Sequence, residues 1–137
     1  MTEADQGIVS IEAEADIAAA RRIVREVATK IGFGVTETVR IVTAASELGR
    51  NVHKYAGKGI MHWRWLHNSS GVNGIELCFE DQGPGIANLD DALKEGHSTG
   101  GGLGMGLPGA KRLMDQMEIR SERGAGTTVT ITKWRRN

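Results

Sequence analysis

"GIELCFEDQGPGI", residues 74–86, alternates apolar and polar residues with the period of a strand and then breaks at Gly83, Pro84 and Gly85. Side chains in a strand alternate between faces. An unbroken strand therefore puts Asp81 on the same face as Ile75, Leu77 and Phe79. That face is the apolar one, turned toward whatever covers the sheet. A carboxylate placed there costs several kcal/mol without a partner, and no Lys or Arg lies within eight residues on either side. A turn after a strand accounts for the glycines alone. A ligand that carries a hydrogen-bond donor accounts for the carboxylate as well, and the exocyclic amine of adenine is such a donor.

Working outward, residues 60–67, "IMHWRWLH", form a second strand, joined to residues 74–81 through the polar turn Asn68–Asn73 as a hairpin. Trp63 and Trp65 share one face of it, as core or as an exposed partner patch, with core favoured. Upstream, "IVSI" (8–11) is a short strand. From about Asp16, the apolar positions Ile17, Ala20, Val24, Val27 and Ile31 have helical spacing, closed by Gly32 and Gly34. Thr36 is a fitting N-cap for a second helix, with stripe Ile41, Ala45, Leu48, Val52 and Tyr55 and its end at Gly57 and Gly59. Downstream, Pro108 suits the first turn of a third helix with stripe Leu107, Ala110, Met114 and Met117. "MEIRSE" and "TTVTITKW", around the turn "RGAGT", make a final hairpin. This order predicts an α+β two-layer sandwich, a mostly antiparallel sheet with helices on one face.

The chain of 137 residues fits one domain, residues 1–137, large enough for a core without disulfides. Its 17 basic and 17 acidic residues balance, so the net charge points to neither a nucleic-acid nor a membrane partner. The basic end, Lys133, Arg135 and Arg136, is expected to be a solvated tail. One cysteine, Cys78, excludes an internal disulfide. With a charged start unlike a signal peptide and no apolar run near ~18 residues, it predicts a cytoplasmic protein. The histidines at 53, 62, 67 and 97 have no metal-ligand spacing with that cysteine.

Two further features carry chemistry. Glu47 and Asn51 stand one turn apart on the flank of the second helix's apolar stripe. They are either a polar boundary face, or a base (Glu47) beside a neutral oxygen for a hard cation such as Mg²⁺ (Asn51). Residues 81–109 hold nine of the 19 glycines, more than any regular element bears. Within them "STGGGLGMGLPGAKR" (98–112) lets backbone N–H groups approach a ligand just before a helix N-terminus, the form of a phosphate cradle. It matches neither the P-loop nor the Rossmann or protein-kinase signatures.

Taken in order, "SELGRN" (46–51), "DQGPG" (81–85), "GLGMGL" (102–107) and "GT" (126–127) resemble the N box, the DxGxG box, the second glycine box and the last box of the GHKL ATPase and kinase superfamily, with its Bergerat nucleotide fold. The resemblance implies ATP and Mg²⁺ as cofactors. Asp81 would hold the adenine amine, Thr127 would support it through water, Asn51 would ligate Mg²⁺ and Glu47 would be the base. Gly104 and Gly106 would meet the phosphates, and residues 87–103 would form the ATP lid. Lys54, Gly83, Gly85, Ile86, Ser98, Thr99, Gly102, Leu103, Met105 and Leu107 would complete the nucleotide contacts. The cation at the γ-phosphate stays open among Lys54, Lys111 and Arg112, for each of which a solvated surface charge is the alternative. Gly49 departs from good helix chemistry inside the N-box segment, at about 1 kcal/mol relative to Ala, and close packing is its expected reason.

Within the superfamily, "SELGRNVHKYAGKG", "EDQGPGI", "GGLGMGLPGAKRLMD" and the terminal "KW" resemble the anti-sigma-factor-type serine/threonine kinases, above all the switch kinases of bacterial stressosomes. That likeness implies phosphorylation of STAS-domain scaffold and antagonist proteins. Release from them would then activate a downstream partner such as a PP2C-type phosphatase. Three other readings share the site: an anti-sigma factor that binds a sigma subunit, a nucleotide-dependent adaptor without transfer, and an ATP hydrolase.

Overall fold

The computed structural model describes residues 5–83, 106–121 and 124–136. Among the described residues, five strands and three helices follow one another as β1 (Gln6–Ile11), α1 (Glu14–Ile31), α2 (Val35–Ala56), β2 (Gly59–His67), β3 (Asn73–Asp81), α3 (Gly106–Leu113), β4 (Gln116–Ser121) and β5 (Thr127–Trp134). All four strand pairings are antiparallel, in the order β1-β2-β3-β5-β4. The fold is the expected two-layer α+β sandwich.

Its core follows from the two periods in the sequence. The period-2 face of β3 (Ile75, Leu77, Phe79) joins Met61, Val129 and Ile131 of the neighbouring strands as one apolar floor. The helical stripes Ile17, Val24, Ile31 of α1 and Ile41, Ala45, Leu48, Val52 of α2 close over it. Full burial of each large side chain contributes about 1.5–3 kcal/mol relative to exposure. Gly32, at φ +106°, ends α1 with its N–H on the carbonyls of Ala28 and Thr29, as a left-handed glycine cap does.

Several local expectations are corrected. Helix α2 starts one residue before Thr36, with Gly34 as its N-cap and no side-chain cap bond. The side-chain cap of this layer is on α1 instead, where Asp16 Oδ2 accepts from the backbone N–H groups of Glu12 (2.8 Å) and Ala13 (3.0 Å). Gly59 opens β2 rather than ending α2. Helix α3 stops at Leu113, so Met117 reaches the core from β4 and not from a helical stripe. The cause lies outside the helix: Asp115 N–H bonds the Thr132 carbonyl at 2.9 Å and draws the chain into the sheet.

The basic end is not a solvated tail. Lys133 is buried, its ammonium 3.0 Å from Glu37 Oε2 and donating to the Leu113 carbonyl at 2.9 Å. Arg135 donates to the Gly32 carbonyl at 3.1 Å, and Arg136 pairs with Asp115 at 3.0 Å. Trp63 and Trp65 pack at the core's edge, as favoured. Trp63 lies over Gly7 of β1, where a Cβ would sit 2.7 Å from its ring carbon Cε2. Trp65 Nε1 donates to Asn73 Oδ1 at 3.2 Å. Close packing does not explain Gly49: a methyl there would stand 3.6 Å from the nearest side-chain atom, on Ile17, in ordinary contact.

Candidate functional site

The strand order sets four residues side by side across the end of the sheet. Gly59 of β2 is opposite Asp81 of β3, Asp81 is opposite Thr127 of β5, and Thr127 is opposite Ser121 of β4. Directly opposed residues point to the same face, with Cβ atoms about 4.5–5.5 Å apart. That face is the helix side, since Phe79, Leu77 and Ile75 on it are buried. Asp81 itself is half-buried. Its Oδ1 accepts from the Gly83 N–H at 2.9 Å, an Asx turn that bends the chain away as the strand ends. Among the described residues Asp81 makes no ion pair.

Glycines let the surrounding backbone close around this carboxylate. A Cβ on Gly83 would stand 2.7 Å from Ala56 Cβ, and one on Gly59 would stand 2.6 Å from Val52 Cγ1 and 3.3 Å from Asp81 Cβ. The last turns of α2 therefore sit directly on the Asp81 row. Gly126, at φ +84°, lies against the Asp81 carbonyl and 3.0 Å, at the Cβ position, from Gln82 Cα. Only glycine combines that backbone angle with that approach. A cavity of about 320 Å³ opens at the sheet's end beside Asp81; its lining by Ser10, Ile60 and Glu80, which are outer-face positions, with Lys58, Gly59 and Gln82, puts it at the rim of the outer face and not beneath α2. A larger hollow of about 700 Å³ lies over the same outer face, where Arg64 and Glu76 already pair at 3.1 Å. The candidate site is the helix side of the Asp81 row, where Asp81 is the carboxylate that makes no ion pair among the described residues.

Helix α2 carries Glu47, Asn51 and Lys54 along one flank, the first two half-buried at the margin of the core and Lys54 exposed. Glu47 Oε1 pairs with Arg50 Nη1 at 3.0 Å, with both side chains reaching solvent. The Lys54 ammonium stands 5.3 Å from the centre of the Tyr55 ring. Lys111 and Arg112 lie in the last turn of α3, where cations complement the carbonyl end of a helix. Leu107 is a core residue, so only its backbone is available to a ligand. Gly106 opens α3. Gly85, Ile86, Ser98, Thr99, Gly102, Leu103, Gly104, Met105 and the expected lid, 87–103, lie outside the described residues.

The donor set suits Mg²⁺ of one kind only. Among the described residues there is no cluster of three or more metal-ligating side chains. A single amide oxygen at Asn51 fits a cation that arrives with phosphate oxygens and water as its other ligands. Ser121 and Arg50 are the site neighbours that sequence reasoning missed. The signal for Arg50 is its i,i+3 spacing from Glu47, and the signal for Ser121 is the register across the turn "RGAGT".

Residues 10–133 match the family model described as histidine kinase-like ATPase domain. The chain belongs to that family, which is the GHKL class the boxes indicated. Among its relatives is the serine/threonine-protein kinase RsbT of Bacillus subtilis (strain 168), 47% identical over 132 residues, covering 96% of this chain and 98% of that protein. This near-full-length match sets the chain in the serine/threonine-protein kinase branch of the family. The anti-sigma F factor of Bacillus cytotoxicus is 34% identical over 108 residues, 74% of this chain and 72% of that protein.

Two solved structures share the fold. The RsbU and RsbW domains of a Mycobacterium tuberculosis protein align with a TM-score of 0.62 at 19% identity, over 95% of this chain and 33% of that one. The histidine kinase domain of a blue-light activated kinase from Erythrobacter litoralis aligns with a TM-score of 0.53 at 20% identity, over 87% of this chain and 59% of that one. This chain thus spans a third of the first structure's length and under two thirds of the second's.

Proposed function

We propose that this cytoplasmic kinase uses ATP and Mg²⁺ to phosphorylate a serine or threonine of STAS-domain scaffold and antagonist proteins. Once released from them, it activates a downstream partner such as a PP2C-type phosphatase. The observation that carries the nucleotide reading is Asp81: a half-buried carboxylate on the helix side of β3, in one cross-sheet row with Thr127 and without an ion pair among the described residues. One of its oxygens is engaged by Gly83 N–H, which leaves the other for the purine 6-amino group. The kinase reading draws on the 47% identity to RsbT over nearly the whole chain.

In the transfer step the acceptor hydroxyl oxygen bonds to the γ-phosphorus while the bond from that phosphorus to the β-phosphate's bridging oxygen breaks, and ADP leaves. Glu47 takes the hydroxyl proton. Asn51 would hold Mg²⁺ from the protein side, and the ion would supply the positive charge that offsets the phosphates. The rest is positioning, supplied by α2 seated on the Asp81 row. The 34% identity to the anti-sigma F factor favours a second reading, in which the same site serves a chain that binds a sigma subunit.

Incubation with labelled ATP, Mg²⁺ and candidate STAS proteins, followed by mapping of the modified residue, tests the proposal. Labelled serine or threonine on a STAS protein supports it. ATP turnover without any labelled protein overturns it in favour of a hydrolase.

A further inference from the structure

Strand β4 is an edge of the sheet, paired with β5 on one side and with no strand on the other among the described residues. An edge strand presents unpaired N–H and C=O groups to any strand that can approach it. Glu118 and Arg120 project from β4 on the outer face, both exposed, while Met117, Ile119 and Ser121 alternate with them, half-buried, on the helix side. Among the described residues, neither charge takes part in an ion pair. Their neighbours across the ladder, Thr130 and Thr128, are uncharged.

The spacing of the two charges is its own complement. A second β4 laid antiparallel to the first, about a two-fold axis at Ile119, sets Glu118 opposite Arg120 and Arg120 opposite Glu118, with Ile119 against Ile119 and Met117 against Ser121. Opposed side chains share a face, with Cβ atoms about 4.5–5.5 Å apart. Two ion pairs therefore form on the outer face, and the half-buried Ile119 side chains cover each other on the helix side. The sheet's other edge, β1, runs from Gln6 to Ile11 without a charged residue. Joining β4 of one copy to β1 of the next would leave both charges unpaired, so the pattern selects a closed pair over an open chain.

We infer that β4 is an interaction surface for a second copy of this chain: the two edges pair antiparallel about Ile119, reciprocal Glu118–Arg120 ion pairs fix the register, and the two sheets run on as one. Charges on an edge keep most strands away. Here they reject a strand of another pattern and admit the strand's own. The same register sets Met117 of the second copy opposite Ser121, at the β4 end of the row that holds Asp81 and Thr127.

Sedimentation velocity on the full chain, across a concentration series, tests this surface. The wild type is expected to pass from monomer to dimer as its concentration rises, with a dissociation constant that increases with salt. Glu118→Arg sets like charges opposite each other on both sides of the axis and is expected to weaken the dimer about tenfold or more, and Arg120→Glu does so with the opposite sign. The double variant, Glu118→Arg with Arg120→Glu, exchanges the two charges and restores the complement. Its dissociation constant is expected to return to within about threefold of the wild type's. A chain that stays monomeric at millimolar concentration overturns the inference and leaves the edge to a strand of another protein. A dimer that the single variants do not weaken, or that the double variant does not restore, overturns it as well, because the contact then lies elsewhere.

Discussion

Lys133 and Glu37 meet at 3.0 Å across the two layers of the fold, one near the end of β5 and the other in the first turn of α2. Only 7% of the lysine side chain is exposed, and its ammonium also caps the last carbonyl of α3 at Leu113 (2.9 Å) and stands 3.8 Å from Asp115. This one cation ties α2 to the C-terminal end of the helix whose other end is Gly106. Removing one partner of a wholly buried pair costs about 3–5 kcal/mol. Glu37 keeps more than a third of its side chain in solvent, so Lys133→Ala is expected to cost about 2–3 kcal/mol. Lys133→Met, which fills the space but leaves the Leu113 carbonyl unbonded, should cost about half as much. Urea titration of the three proteins checks this; a Lys133→Ala midpoint equal to the wild type's would show that the pair contributes nothing.

Two glycines should respond in opposite directions. At Gly49, inside α2, a methyl would rest 3.6–3.7 Å from Ile17 without displacing it. Gly49→Ala should therefore stabilise the fold by about 0.5–1 kcal/mol through helix propensity and the lower entropy of the unfolded chain. At Gly126 the backbone angle of +84° and the Asp81 carbonyl both exclude a side chain. Gly126→Ala should destabilise by more than ~1 kcal/mol. Thermal melts read both, with about 3–4 °C expected per kcal/mol at this size. A lower melting temperature for Gly49→Ala would mean that its backbone has a role beyond packing.

Cys78 lies on the sheet's outer face, and burial pushes its thiol above the ordinary value of 9.0, against a lowering hydrogen bond from Thr130 and with further raising by Glu80 and Glu76. A raised acid binds its proton more tightly when folded than when unfolded. The stability this contributes is complete below the ordinary thiol range and is lost as pH rises through the folded value. As pH rises above the ordinary thiol value of 9.0, stability of the wild type should drop more than that of Cys78→Ala. Alkylation by iodoacetamide at pH 8 should be slower than for a free cysteine peptide. Labelling as fast as the peptide's would contradict the shift.

What the sequence made legible follows the range of the interactions. The face of Asp81 could be read from β3 alone, because a period of two carries Ile75, Leu77 and Phe79 to it without reference to any other element. Thr127 could not be placed that way. It stands opposite Asp81 because the β4–β5 hairpin, arriving after α3, inserts β5 between β3 and β4, and only the likeness to a family brought the two residues together. Ser121 depended on the same register. The burial of Lys133 is not legible locally because it is decided by a carboxylate 96 positions earlier and a helix-end carbonyl 20 positions earlier, and neither leaves a mark in "TITKWRRN". The N-terminus of α2 departs from the Thr36 expectation because a glycine in extended conformation, Gly34, serves as the cap in place of a side-chain cap.

The nucleotide reading makes Asp81 the residue that distinguishes adenine from guanine. Asp81→Asn removes a charged acceptor whose bond to a donor is worth about 1.5–3 kcal/mol, so ATP affinity should fall tenfold to a hundredfold or more, by about that amount. GTP presents a carbonyl where the amine belongs and should bind poorly to the wild type. Calorimetry with both nucleotides decides the matter, and equal affinity of the wild type for ATP and GTP would refute the purine assignment.

The proposed role of Glu47 as base for the acceptor hydroxyl predicts a split between binding and transfer. Glu47→Gln keeps the shape of the α2 flank and should bind ATP within about threefold of the wild type, while losing 10²–10⁴-fold, or about that range, in phosphorylation of a STAS partner. The neighbouring Arg50 separates two explanations of such a loss. Its pair with Glu47 is exposed, with 60% of the arginine side chain and 37% of the glutamate side chain reaching solvent, so it holds the carboxylate by less than ~1 kcal/mol. Arg50→Ala should consequently leave transfer within a few-fold of the wild type if Glu47 works as the base on its own. A loss as large as that of Glu47→Gln would instead assign Arg50 to the γ-phosphate and make Glu47 the residue that positions it. Single-turnover transfer measured at saturating ATP for both variants distinguishes the two outcomes, and unchanged labelling by Glu47→Gln would remove it as the base.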